Sequence, residues 1–215
     1  HPPTVTNMTL PVESVIPELL RALADDGQAV LVAPPGSGKT TVVPLHLMGR
    51  NGRIVILEPR RVATRAAARR MASLLGEEVG ETVGYVTRDD RKTGPATRIE
   101  VVTEGVLTRR LQTDPSLPGT SVVIFDEFHE RNLQTDLGMA LLLDVRRSIR
   151  PDLEVLVMSA TIDASRIADH LGGATVLRAE GTVHPVEIRW FPPARNTSFD
   201  GHVAATITRS LRQDE

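Results

Sequence analysis

The sequence predicts an α/β fold, a mostly parallel sheet with helices on both faces. Three observations carry that prediction. Short apolar runs of strand length alternate with stretches of helical spacing along most of the chain, the pattern of successive βαβ units. The residues suited to chemistry each follow one of the apolar runs, and open α/β sheets bind ligands at the carboxyl ends of their strands. The 215 residues are 40% apolar and only 3% aromatic, enough for a sizeable core built from Val, Leu, Ile and Ala.

Residues 1–9 hold two prolines and no periodicity; they read as a disordered tail or a remnant of trimming. Leu10 to Leu23 has helical spacing, with Val12, Val15, Ile16, Leu19, Leu20 and Leu23 on one face. The run Gln28 to Val32 is a buried strand that leads into Ala33-Pro34-Pro35-Gly36-Ser37-Gly38-Lys39-Thr40 and then an apolar-rich helix ending at Gly49. Strand, glycine-rich loop and helix together form a phosphate cradle. Its glycines let backbone N–H groups converge on phosphate oxygens at a helix N-terminus. Lys39 can reach the β- and γ-phosphates and the Thr40 hydroxyl can hold Mg²⁺. Ala33 stands where the strict pattern has Gly, but Gly36 and Gly38 remain where the loop must turn. Lys39 and Lys92 are the only lysines in the chain.

Arg53 to Leu57 is a second strand, followed by Glu58-Pro59-Arg60-Arg61 and a helix from Val62 to Leu75. Arg60 and Arg61 sit where phosphodiester oxygens are natural partners; Arg65 and Arg69 read as a solvated helix face. Thr82 to Arg88 is a short strand, Asp89 to Ala96 a polar turn, and Arg98 to Val102 another strand leading to Thr103-Glu104-Gly105 and a helix through Leu111. Ser121 to Phe125 is a strand that ends in Asp126-Glu127-Phe128-His129-Glu130-Arg131. Two adjacent carboxylates there are costly unless a cation faces them. With a phosphate loop upstream, Mg²⁺ is that cation, Asp126 holding it and Glu127 orienting or deprotonating the attacking water. A helix from Leu133 to Ile149, a strand from Leu153 to Met158, the hydroxyls of Ser159 and Thr161, and a helix from Asp163 to Leu171 follow. Ala174 to Leu177 and Val186 to Phe191 read as late strands, and Gly201 to Arg212 as a further helix.

The absence of cysteine excludes disulfides, thiolate metal sites and thiol catalysis. No apolar run is long enough to span a membrane and no signal peptide is visible, so a cytoplasmic protein without a membrane role is expected. A net charge of −2 excludes a globally basic nucleic-acid binder and leaves only local positive patches.

Five segments in order are similar to motifs of the superfamily 2 helicases: Ala33 to Thr40, Glu58-Pro59-Arg60-Arg61, Thr103-Glu104-Gly105, Asp126-Glu127-Phe128-His129 and Ser159-Ala160-Thr161. The fourth is a DEAH box with Phe in place of Ala. With Thr103 to Arg109, it makes the chain resemble the HrpB-type group of bacterial DEAH-box RNA helicases from Leu10 to Phe191. The resemblance implies a RecA-like ATP-binding domain over residues 10–192, with 193–215 a linker and the start of a second RecA-like domain. It implies that Pro35, Gly36, Ser37, Gly38, Lys39, Thr40 and Thr41 bind ATP, that Arg70 stacks on the adenine, and that Thr40, Asp126 and Glu127 hold Mg²⁺. Lys39, Asp126, Glu127 and His129 would be catalytic, Ser159 and Thr161 would couple ATP state to movement, and Arg60, Arg61, Arg88 and Thr103 would track single-stranded RNA. Glu180 to Val186 is similar to a family segment that usually has an aromatic at His184. The family's later arginine-rich motifs do not occur. The expectation is therefore one domain of a monomeric enzyme, hydrolysing ATP slowly by itself and needing the second domain in cis. A DNA helicase or translocase, or a nucleotide-dependent binding switch without unwinding, remain open readings of the same residues.

Overall fold

The structure, a computed structural model, describes residues 10–130, 132–160, 163–181, 188–193 and 198–213. The chain forms two compact units, His1–Thr182 and Val183–Glu215. The first is built on eight strands: β1 (Gln28–Val32), β2 (Arg53–Leu57), β3 (Val83–Val86), β4 (Arg91–Lys92), β5 (Ile99–Val102), β6 (Thr120–Phe125), β7 (Glu154–Ser159) and β8 (Thr175–Arg178). Their order is β4-β3-β5-β2-β6-β7-β1-β8. Every pair is parallel except β3 with β4.

Six helices cover this sheet. Helices α1 (Ile16–Asp26), α2 (Lys39–His46) and α3 (Arg61–Leu75) bury their apolar faces in one core, with Leu19, Leu23, Val43, Ala68 and Met71 against Leu31, Ile54 and Ile56. Helices α4 (Glu104–Thr113), α5 (Leu133–Ser148) and α6 (Ala164–His170) close the other, with Leu107, Met139 and Leu142 against Val55, Val123 and Val157. The strand residues of the two cores alternate along each strand, as the period-two pleat requires. Both faces of the central strands β1, β2, β5, β6 and β7 are therefore buried, and those runs are largely apolar because neither face meets water.

Local chemistry sets the helix limits. Pro17 lies in the first turn of α1, where its missing N–H breaks no bond, and Gly27 ends that helix in the left-handed region with its N–H on the Leu23 carbonyl. Asn132 caps α5, its side chain accepting from the amides of Gln134 and Thr135 at 3.0 Å each. The same Asn132 amide group donates to Glu104 Oε1 at 2.6 Å, and the Thr135 hydroxyl donates to that oxygen at 2.6 Å. The start of α5 is thus tied to the start of α4.

At the amino ends of the strands, arginines close the loops. Arg98 donates to the carbonyls of Met48, Arg50 and Gly52, Arg150 to those of Ser116, Leu117 and Thr120, and Arg146 to those of Asp26 and Leu153. The guanidinium fork, with five donors in one plane, serves several carbonyls at once as an ammonium cannot.

Two expectations change. The polar turn after β3 contains the short antiparallel strand β4, held by Tyr85 and Val86 opposite Lys92 and Arg91. The late strand expected at 186–191 is not one: 186–187 lie outside the described residues, and 188–191 have no strand pairing. In the second unit, α7 (Phe199–Gln213) is the expected helix, begun two residues earlier. Among the described residues, no helix is long and apolar enough to cross a membrane.

Candidate active site

Strands β2, β6, β7 and β1 are consecutive in the sheet, so their carboxyl ends lie side by side. The glycine-rich loop follows β1, Ser159 ends β7, Asp126 follows β6 and Glu58 follows β2. β7 separates the loop strand from the acidic strand, with Ser159 opposite Val32 and Val157 opposite Phe125. Four segments far apart in sequence thereby meet on one edge.

The loop is held open from below. Within it, Ser37 N–H donates to the Pro34 carbonyl (3.2 Å), and the amides of Thr41 and Val42 donate to the Gly38 carbonyl (3.2 and 2.8 Å). The amides of Gly36, Gly38, Lys39 and Thr40 have no backbone acceptor among the described residues. Ser37 is buried, and its hydroxyl likewise has no partner there. Donors left unpaired at a helix N-terminus are what an anion requires. The segment before α1 braces this cradle: Val12 N–H donates to the Ser37 carbonyl at 3.2 Å. A Cβ on Gly38 would lie 2.8 Å from Leu10 Cδ1, and its φ is +91°. Gly38→Ala is therefore expected to cost about 1–3 kcal/mol and to abolish nucleotide binding, measured by thermal unfolding and by ADP titration.

The acidic turn closes on the loop. Thr40 Oγ1 donates to Asp126 Oδ2 at 2.5 Å, and Asp126 Oδ1 accepts from the Glu127 amide at 2.8 Å. Lys39 Nζ lies 2.9 Å from Glu127 Oε1, with Lys39 almost wholly buried. His129 Nε2 is 3.3 Å from Glu127 Oε2, while its Nδ1 accepts from the Ala160 amide at 3.3 Å. An Nδ1 that accepts leaves the ring proton on Nε2, aimed at Glu127. Glu127 has a φ of +49°, an uncommon conformation for a residue with a side chain and one that clusters at functional sites. The chain Lys39, Glu127, His129, Ala160 joins the loop, the acidic turn and the end of β7.

Burial dominates the two carboxyls beneath. It lifts Asp126 to about 6, helped by the Glu127 charge and opposed by the Thr40 hydroxyl bond and Lys39. It lifts Glu58 to about 7, helped by the Asp126 charge and opposed by the Arg60 amide. A buried carboxyl pair of this kind is relieved by a cation. The site's role for Glu58 was not evident in the sequence. The signal would have been an acid placed after a buried strand, as at Asp126.

The arginines separate into two groups. Arg60 pairs with Glu130 at 2.8 Å and Arg61 with Asp89 at 2.5 Å. Arg88 is exposed and makes no hydrogen bond or ion pair among the described residues; it lines a cleft of about 630 Å³ together with Thr103. Thr103 stands at the N-cap of α4 but forms no capping bond with its side chain. Arg70 is exposed on α3 and is likewise unpaired among the described residues. Ser159 is buried at the end of β7. Thr161 and His184 lie outside the described residues.

Residues 12–170 match the family described as DEAD/DEAH box helicase. The chain is 52% identical over 209 residues to the ATP-dependent RNA helicase HrpB of Escherichia coli (strain K12), covering 96% of this chain and 26% of that protein. It is 36% identical over 198 residues to the ATP-dependent RNA helicase HrpA of Borreliella burgdorferi, covering 90% and 24%. Two crystal structures are similar to it. One, of the E. coli DExH-box NTPase HrpB, has a TM-score of 0.80 at 50% identity and covers 99% of this chain and 27% of that one. The other, of the Escherichia coli DEAH/RHA helicase HrpB, has a TM-score of 0.84 at 51% identity and covers 96% and 27%. The chain thus spans about a quarter of the length of the curated relatives it matches.

Proposed function

The chain belongs to the DEAD/DEAH box helicase family, and from that footing we propose that it is the ATP-binding domain of an ATP-dependent RNA helicase. The observation that carries the reading is the set of direct contacts that joins Thr40 to Asp126, and both Lys39 and His129 to the adjacent Glu127.

In this reading the unpaired amides of Gly36, Gly38, Lys39 and Thr40 and the orphan Ser37 hydroxyl receive the phosphates of ATP, with Pro35 and Thr41 flanking them. Lys39 leaves Glu127 for the β- and γ-phosphates. Glu127 is then free to accept a proton from the attacking water, and His129 holds it from the other side through Nε2–H. The donor set of Thr40, Asp126 and Glu127, two carboxylates and a hydroxyl with Asp126 buried, fits Mg²⁺. That ion, when bound, neutralises charge on the transferring phosphoryl group. Arg70 is exposed and available to stack on the base. Ser159 and Thr161, beside the Ala160 amide that holds His129, transmit the phosphate state. Arg60, Arg61, Arg88 and Thr103 meet the backbone of single-stranded RNA, and the proposed enzyme works in the cytoplasm as a monomer.

Residues 193–215 lead, in this reading, into a second RecA-like domain whose arginine completes the site. Such an arginine is worth roughly 10³–10⁵ in rate. The separate compactness of Val183–Glu215 and its helix α7 supports that division. The test is ATP hydrolysis by the 215-residue chain, with and without single-stranded RNA, beside a longer protein carrying both RecA-like domains. Near silence from the chain and RNA-stimulated turnover from the longer protein are expected. Fast, RNA-independent turnover by the chain would overturn the reading in favour of a self-contained phosphate-loop NTPase.

A further inference from the structure

We infer that Glu58 is a positioning residue of the metal site, its carboxylate accepting a hydrogen bond from a water in the hydration shell of Mg²⁺. The inference rests on the Mg²⁺ reading above and deepens it, because it adds an acid from the end of β2 to the pair that follows β6.

The sheet register brings Glu58 to that pair. Leu57 lies opposite Phe125 in the parallel pairing of β2 and β6. The ladder runs one residue past both strands, with Asp126 N–H on the Leu57 carbonyl and Glu58 N–H on the Val102 carbonyl, each at 3.0 Å. Side chains alternate between the two faces of a strand. Ile56 and Ile124 enter the core under α1, α2 and α3, whereas Leu57 and Phe125 enter the other. Glu58 and Asp126 come next, so both return to the α2 face. Asp126 shows the result, since its Oδ2 accepts from Thr40 in the first turn of α2. Glu58, only 2% exposed, is therefore held beside Asp126 on the phosphate-loop side of the sheet.

What distinguishes Glu58 is spare acceptor capacity. Both oxygens of Asp126 already accept, from the Thr40 hydroxyl and from the Glu127 amide. Both oxygens of Glu127 are taken, one by Lys39 and one by His129. Glu58 accepts through Oε1 from the Arg60 amide at 3.4 Å, a long bond, and its Oε2 has no hydrogen bond among the described residues. A carboxylate can accept about four hydrogen bonds, and a buried one left short of them is costly. The nearby cations are spent elsewhere, Arg60 on Glu130 and Lys39 on Glu127. Burial and the Asp126 charge accordingly push the Glu58 carboxyl up to about 7. Mg²⁺ gives up its waters reluctantly and keeps several of them in nucleotide sites. Those waters need acceptors, and Glu58 offers an unfilled one beside Asp126 while the ion's charge offsets that of the buried acid.

Mn²⁺ binding to the ADP-bound chain at pH 8 tests this, followed by electron paramagnetic resonance for the parent, Glu58→Gln and Glu58→Asp. Mn²⁺ stands in for Mg²⁺ because it takes the same oxygen ligands. Gln keeps the volume of Glu58 and an oxygen for the Arg60 amide while removing the charge. Glu58→Gln is expected to weaken Mn²⁺ binding about tenfold, the usual cost of losing a group that hydrogen-bonds to a metal's ligands. Its ADP affinity in a chelator should not fall, and Glu58→Asp, which keeps the charge, should lose less. Unchanged Mn²⁺ affinity in Glu58→Gln, with the parent complex binding Mn²⁺, overturns this inference alone. Equal weakening of Mn²⁺ and of metal-free ADP overturns it too, because Glu58 would then only shape the phosphate loop. If the parent complex binds Mn²⁺ no more tightly than ADP does in solution, both this inference and the metal reading beneath it fall.

Discussion

Glu127→Gln is expected to leave nucleotide bound while hydrolysis falls at least a hundredfold, measured as phosphate release by the longer protein with both RecA-like domains. General-base catalysis is worth roughly 10²–10⁴ in rate, and Gln keeps the volume of Glu127 while losing the proton-accepting charge. The ground-state geometry adds a second, opposite effect. Lys39 Nζ sits 2.9 Å from Glu127 Oε1, so the carboxylate competes with phosphate for the lysine. In Glu127→Gln that competition weakens, and nucleotide affinity should rise as turnover collapses. Loss of binding together with turnover would mean that Glu127 shapes the cradle and does not act on water. Lys39→Ala separates the cases, because it should abolish binding outright.

The second large effect concerns stability against pH. Glu58 and Asp126 lie at the ends of adjacent strands, and burial raises both carboxyls, to about 7 and about 6. Their ordinary values are 4.5 and 3.8. A carboxyl raised on folding binds its proton more tightly in the folded state. The folded state is therefore favoured below pH 4 as far as these groups are concerned, and that advantage is lost as pH rises through 6 to 7. Glu58→Gln removes the buried charge. It is expected to stabilise the metal-free protein at pH 8 by about 3 kcal/mol and to change little at pH 4, read from thermal unfolding with a chelator present. A shift of equal size at both pH values would assign the gain to packing and not to charge.

Much of the fold is legible in the sequence because the strands are buried on both faces. Continuous runs such as Ile54 to Leu57 and Val122 to Phe125 have no other stable place, and turn residues punctuate them. The phosphate loop is legible because its glycines, lysine and threonine stand at fixed offsets along one segment. β4 is not, since Arg91 and Lys92 are both exposed and carry no apolar pattern. The strand expected at 186–191 shows the converse failure. Val186, Ile188 and Trp190 alternate as a strand face should, yet Ile188 and Trp190 are 74% and 88% exposed; a period-two pattern without a surface to cover it makes no strand. Long-range pairs were beyond reach for a different reason. Arg60 meets Glu130, and Glu58 faces Asp126, only because β2 lies beside β6, and strand order is not encoded in any local stretch. The same holds for Arg110, which meets Glu100 on β5.

The chain carries only two lysines, one exposed on β4 and the other almost wholly buried against Glu127. Amine chemistry can therefore read the phosphate loop without any label being engineered. Lys92 acetylates as an exposed amine and serves as the internal standard. Lys39 reacts only through openings in which it leaves Glu127 and meets water, so its acetylation rate relative to Lys92 is a footprint of the loop. Bound nucleotide, by holding the same ammonium on phosphate, should deepen that protection, and peptide mass spectrometry at one residue would report occupancy directly.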